Sequence, residues 1–154
     1  MQKITTLLKI CPFFLMAFQI SDNPKTKTMK KEIIHSNQAP NPIGPYSQAV
    51  MAGDLLFVSG QIAINPETNA MVTDNIEHET KQVMTNIHGI LTAAGLDFPN
   101  VVKATIFVKD LNNFAKINEI YGSYFTGDFP ARETVEVSRL PKDVNVEISV
   151  IAKK

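Results

Sequence analysis

Val144, Val146, Ile148 and Val150 alternate with Asn145, Glu147 and Ser149, a period of two that predicts a strand over 144–151 with one buried and one open face. Val101 to Val108 is β-branched and aromatic and predicts a second strand; Glu133 to Val137 alternates and predicts a third. Upstream, Ile33 and Ile34 open a short strand. Gln48 to Met51 and Leu55 to Val58, joined by Ala52-Gly53-Asp54, predict a hairpin whose second arm runs on through residues 61–64. A helical period replaces the alternation twice. Ile76, Val83, Ile87, Ile90, Leu91 and Ala94 recur on one face, Asp74 and Glu77 mark the start, and Gly95 stands at the end. Phe114, Ile117, Tyr121 and Tyr124 predict a second amphipathic helix over 110–125. Between them, Pro40, Pro42, Gly44 and Pro45 rule out helix in 37–46 and predict an ordered loop.

The order of strands, helix, strand, helix and two strands predicts an α+β fold, a mixed sheet with two helices on one face. The other face needs a cover, and a homo-oligomer is the simplest one.

The chain has 154 residues, of which 44% are hydrophobic and 19% charged, enough for one domain with one core. Fifteen basic residues balance fifteen acidic ones, but unevenly. Residues 1–28 carry four lysines against one aspartate, a net +3, which leaves 29–154 at −3. An acidic body gives no electrostatic reason to expect nucleic acid. Cys11 is the only cysteine, which excludes an intrachain disulfide framework, a CxxC redox pair and a cysteine-rich zinc site.

Residues 1–28 form a separate N-terminal extension before a domain at 29–154. Lys3 and Lys9 precede an apolar run at 10–20 that resembles a signal segment, though Pro12 interrupts it and no A-x-A site follows. The run is shorter than the ~20 residues that span a bilayer, so no stable membrane association is expected. Two readings stand: an export or anchoring segment, or a misassigned start with Met29-Lys30-Lys31 as the true one. The second makes the protein cytoplasmic, the first exported.

The candidate chemistry narrows by elimination. His35, His78 and His88 are the only histidines. His78 and His88 lie about 15 Å apart along one helix, so no metal site is expected. No G-x-S-x-G elbow surrounds Ser59, and no phosphate-binding glycine loop occurs. Arg132 at the head of a strand has a fork suited to a carboxylate, and Glu147 sits mid-strand opposite the apolar row. Read alone, Glu147 is by default a solvated edge residue and Arg132 a surface salt-bridge partner.

The runs Asn41 to Ala49 (N-P-I-G-P-Y-S-Q-A), Val58 to Gln61 (V-S-G-Q), Ala93 to Leu96 (A-A-G-L), Phe107 to Leu111 (F-V-K-D-L) and Pro130 to Arg132 (P-A-R) stand in this order. Val135 to Val137, Arg139 to Asp143 (R-L-P-K-D) and Val146 to Ile148 follow. Together they resemble the reactive intermediate deaminase A family, RidA/YjgF, over about 31–152. The resemblance implies a chorismate-mutase-like fold and a homotrimer in which three sheets surround a central barrel, with active sites in clefts between subunits. It implies hydrolysis of enamine and imine products of pyridoxal-phosphate dehydratases to 2-oxoacids and ammonia, without a cofactor. Typical substrates are 2-aminoacrylate and 2-aminocrotonate with its tautomer 2-iminobutanoate.

By the same resemblance the essential arginine is Arg132, the tyrosine of the loop Tyr46, the serine of S-G-Q Ser59 with Gly60 beside it, the helix asparagine Asn118 and the last-strand glutamate Glu147. Thr134 departs from the cysteine that many members carry two residues after the arginine, so no thiol is available there. Arg132 is expected to clamp the substrate carboxylate, with Asn118, Thr134 and Gly60 contacting substrate. Glu147 is expected to activate water, and Tyr46 and Ser59, from a neighbouring subunit, to complete the site. Two other roles attach to the family: a non-enzymatic ligand-binding or chaperone-like trimer, and a ribonuclease or translation inhibitor.

Overall fold

The computed structural model describes residues 30–154. The two readings of 1–28 lie outside them. The chain forms β1 (Lys31–Ile34), β2 (Ala49–Ala52), β3 (Leu55–Gln61), α1 (Ile76–Ala93), β4 (Val101–Val108), α2 (Phe114–Gly122), β5 (Ala131–Glu136) and β6 (Val146–Lys153). The strands make one six-stranded sheet in the order β1-β2-β3-β6-β4-β5. All neighbours are antiparallel except β4 and β5, which the α2 crossover makes parallel. This is the α+β fold, a mixed sheet with two helices.

Alternation decides which face is buried. Ala49, Met51, Leu56, Val58, Ala104, Ile106, Val108, Val146, Ile148, Val150 and Ala152 pack with Val83, Met84, Ile87, Ile90 and Leu91 of α1 and with Ile117 and Tyr121 of α2 in one core. Ladder partners share a face, so the register extends the assignment to every strand. Ile33, Val50, Phe57, Lys103, Thr105, Glu133, Val135, Glu147 and Ser149 share the opposite face, which no helix covers. Phe57 and Val135 stay exposed there, while Glu133 accepts from Lys103 and Thr105. A smaller apolar cluster of Ile62, Ile64, Leu140 and Val144 lies beyond the end of β3.

Element ends follow local chemistry. The cap of α1 is Asn75 rather than Asp74: its side chain accepts from the His78 N–H at 2.8 Å. Gly95 at φ 72° ends the helix in the left-handed region. The second helix is shorter than its pattern predicts. Asp110 caps a 3-10 turn over Leu111–Asn113, its carboxylate accepting from the Asn112 N–H at 2.8 Å, and α2 begins only at Phe114. Strand β3 stops at Gln61, three residues short of the predicted arm: its pairing with β6 slips between Val58 and Gln61, and Ile64 bridges Met71 instead. Among the described residues no helix is long and apolar enough to cross a membrane.

Candidate functional site

The proline-rich loop between β1 and β2 is built around Gln48, which is buried. Its amide nitrogen donates to the carbonyls of Ser36, Ala39 and Pro40 at 2.9–3.1 Å, and its oxygen accepts the Ser36 N–H at 2.7 Å. One amide thus replaces the ladder that prolines cannot form. The loop carries Tyr46, whose hydroxyl accepts from the Ile43 N–H at 3.2 Å. Ser59 on β3 ties the loop to the sheet: its hydroxyl donates to the Ser47 carbonyl at 2.7 Å and its N–H to the Gln48 carbonyl at 3.0 Å. Its oxygen keeps lone pairs to accept from a visitor.

Between loop and sheet lies a hollow of about 270 Å³ lined by Tyr46, Ser59, Gly60 and Glu147, with Pro40, Ile43, Ile62, Ile64 and Pro141 as its apolar wall. Glu147 is half-buried, and burial alone pushes its carboxyl above the usual glutamate range. It lies directly over Gly60: a Cβ there would come within 1.9 Å of Glu147 Oε1. Gly60 does not have the positive φ that demands glycine, so its missing side chain serves space rather than backbone freedom. Gly60→Ala is therefore expected to leave a folded protein in which the Glu147 carboxylate is pushed aside. If Glu147 acts on water, kcat falls by ~10-fold or more while the circular dichroism stays that of the parent.

A second hollow of about 420 Å³ is lined by Asn118, Tyr121, Gly122, Phe129, Pro130 and Arg132. The Arg132 guanidinium lies 5.0 Å from the ring centre of Tyr121 and 5.9 Å from that of Phe114, a platform of two aromatic faces. Burial pushes the Tyr121 hydroxyl up to about 12 against the opposing charge of Arg132, so it stays protonated. Asn118 Oδ1, Tyr121 Oη and Thr134 Oγ1 are buried without a hydrogen-bond partner among the described residues. The two arginines of the chain differ in commitment. Arg139 gives both nitrogens of its fork to Asp143 at 2.7 and 3.0 Å, whereas Arg132 forms no ion pair among the described residues.

Arg132, Asn118 and Thr134 therefore gather on one side, and Tyr46, Ser59, Gly60 and Glu147 on the other. Register explains the division. Arg132 pairs with Ala104, which pairs with Val150, all on the helix face; Glu147 pairs with Phe107 on the open face. Within one chain the sheet stands between guanidinium and carboxylate. Glu147 keeps company with Tyr46 and Ser59 rather than with Arg132.

The histidines stand apart from both hollows. His78 Nδ1 lies 2.7 Å from Asp74 Oδ2, and His88 stacks on Phe98 at 5.7 Å. Two residues that matter to the geometry carry no signal as site residues in the sequence: Gln48 and Tyr121. Tyr121 was visible only as one of four apolar positions on a helix face, and its place under Arg132 depends on the α2–β5 crossover.

Residues 36–154 match the family model described as endoribonuclease L-PSP. A RutC family protein of Pyrococcus horikoshii is 54% identical over 124 residues, 80% of this chain and 98% of that one. The 2-iminobutanoate/2-iminopropanoate deaminase of Bos taurus is 45% identical over 125 residues, 81% of this chain and 91% of that one. The crystal structure of the conserved Rid family protein YyfA from Yersinia pestis superposes with a TM-score of 0.79 at 49% identity, covering 81% of this chain and all of that one.

Proposed function

The chain belongs to the RidA/YjgF family, and from that premise we propose that it is a cofactor-independent deaminase that hydrolyses 2-imino acids and their enamine tautomers to 2-oxoacids and ammonia. The observation that carries the reading is Arg132, an uncommitted guanidinium on an aromatic platform at the mouth of a hollow. The 2-iminobutanoate/2-iminopropanoate deaminase name borne by the Bos taurus relative points the same way. The working unit in this reading is a homotrimer. The Arg132 hollow of one subunit faces the Glu147 hollow of the next, and the open sheet faces line a central barrel. The proposal includes a cytoplasmic setting, beside the dehydratases that release such imines.

The chemistry follows from the two halves. The fork of Arg132 takes the substrate carboxylate through two parallel hydrogen bonds, with Asn118 and the Thr134 position beside it. An enamine such as 2-aminocrotonate first gains a proton at its β-carbon and becomes the iminium. Glu147 removes a proton from water as the water oxygen bonds to the iminium carbon. Tyr46, Ser59 and Gly60 border the space for that water. The carbinolamine nitrogen then takes the proton back from Glu147, and ammonia leaves as the carbinolamine hydroxyl gives its own proton to the Glu147 carboxylate and becomes the carbonyl; that proton passes on to solvent or to the departing ammonia. No step needs an oxidant, reductant or metal.

A coupled assay tests the reading. A threonine dehydratase releases 2-aminocrotonate in the presence of semicarbazide. The protein is expected to lower the semicarbazone yield while the final 2-oxobutanoate stays the same, as interception of the free imine requires. An unchanged semicarbazone yield overturns the proposal.

Glu147→Gln separates function from stability. A folded-state value raised above the unfolded one means that ionising Glu147 costs stability as pH rises through that window; below the unfolded value the cost vanishes. The variant is expected to lose activity yet melt at a higher temperature than the parent at pH 7. The difference closes near pH ~3, where both carry a neutral side chain. Thermal melts at the two pH values check it.

The endoribonuclease description of the family model supports a second reading, RNA cleavage. Against it, residues 29–154 carry a net −3, and phosphate contacts draw their energy from clustered cations. RNA cleavage that disappears in Arg132→Ala would favour it.

A further inference from the structure

Glu79 is the only acidic or basic side chain that is buried among the described residues, with no exposed surface, and it belongs to neither hollow. It has no cationic partner among the described residues. Burying a lone carboxylate costs several kcal/mol unless donors satisfy it. Here three N–H groups do so. Oε1 accepts the Asn145 N–H at 2.6 Å and the Val146 N–H at 3.3 Å, and Oε2 accepts the Asn145 side-chain amide at 2.8 Å. Glu79 also lies in the first turn of α1, where the helix dipole favours negative charge.

The donors sit immediately before Glu147. The segment leading into β6 is irregular: Lys142 and Asp143 have φ of 56° and 60°, and the ladder resumes only at Val146. Glu79 fixes where it resumes, 66 residues away in sequence. The Asn145 carbonyl, on the other side of the same peptide, accepts the Lys109 N–H at 3.0 Å and joins the end of β4 to the junction. One residue further on, Glu147 fills the space left by the absent side chain of Gly60. A seat that tight tolerates little movement of its backbone.

Resting on the deaminase reading for its kinetic consequence, we propose that Glu79 is a positioning residue that holds the start of β6 so that the Glu147 carboxylate stays seated over Gly60. A surface charge at this place would need no such set of donors, and a leucine would fill the volume without any. The carboxylate contributes what neither can: acceptors for two consecutive N–H groups at the point where the strand begins.

The test reads Glu147 directly. Its side-chain carboxyl is followed by carbon-13 NMR across pH in the full chain. Tyr46 is the one titratable neighbour in its hollow, and Ser59, Gly60, Phe107 and Pro141 around it are uncharged. In Glu79→Leu the titration is expected to fall from its raised position toward ~4.3, the ordinary glutamate value. With 2-iminobutanoate, kcat per folded protein falls by ~10-fold or more while KM stays within about twofold, because the carboxylate clamp is untouched. Glu79→Gln, which keeps an oxygen for both backbone N–H groups, restores the titration and the rate. Ile90→Ala, a core truncation lining neither hollow, loses stability without moving the titration. If Glu79→Leu does not fold, Asn145→Ala removes one of the three donors and is expected to move the titration in the same direction by less. A Glu147 titration coincident with the parent's, in Glu79→Leu or in Asn145→Ala where leucine fails to fold, overturns the proposal. A parent without imine hydrolysis sinks the deaminase reading instead and leaves the titration test standing.

Discussion

Arg132→Ala releases no 2-oxoacid from 2-iminobutanoate beyond the spontaneous rate, a loss of at least ~100-fold in kcat/KM. Charge-assisted bonds to a carboxylate are worth about 1.5–3 kcal/mol each, and the fork makes two in one fixed geometry. The same contact orients the iminium carbon toward the attacking water, so the loss falls on kcat as well as KM. The fold survives the change: the side chain is exposed, forms no ion pair among the described residues and gives up a cation–π contact worth about 0.5–1 kcal/mol. Arg132→Lys makes the argument sharper. A lysine keeps the charge but not the fork, so it recovers part of KM and little of kcat. Near-normal turnover by folded Arg132→Ala refutes the clamp.

Local pattern was legible and nonlocal placement was not. Val101 to Val108 reads as a strand from composition alone and is β4 to the residue. The alternation of Val144, Val146, Ile148 and Val150 assigned Glu147 to the face opposite the core, where it lies. The pattern predicts a longer second helix than forms, because Phe114, Ile117, Tyr121 and Tyr124 share a face, while Asp110 diverts the backbone into a 3-10 turn before it. The seat of Glu147 over Gly60 escaped the sequence for a different reason. It depends on β3 meeting β6 across a slipped register, between residues 87 positions apart that carry no mutual signal. Glu79 escaped likewise, since at the start of an amphipathic helix a glutamate reads as a solvated, dipole-favoured charge. The resemblance to RidA/YjgF proteins named Arg132 and Glu147. It did not say that the sheet separates them.

That separation sets the largest expected effect. Arg132→Ala and Glu147→Gln, each inactive alone, regain activity when their subunits are mixed. The residues lie on opposite faces of one sheet, so within this fold a carboxylate clamped at Arg132 does not reach water activated at Glu147 of the same chain. In the proposed homotrimer a head-to-tail arrangement would bring the two together at every interface, pairing the helix-face hollow of one subunit with the loop hollow of the next. In randomly mixed rings one intact half comes from each variant, and roughly a quarter of the interfaces hold both, so activity returns to about a quarter of the parent's. The loop hollow must then come from a Gly60-bearing, Glu147-bearing neighbour. Adding Gly60→Ala to the Arg132→Ala subunit therefore cancels the recovery, whereas adding it to the Glu147→Gln subunit does not. Co-expression followed by native mass spectrometry establishes that mixed assemblies form. Mixed assemblies that stay inactive place both halves of the reaction in one chain and overturn the shared site.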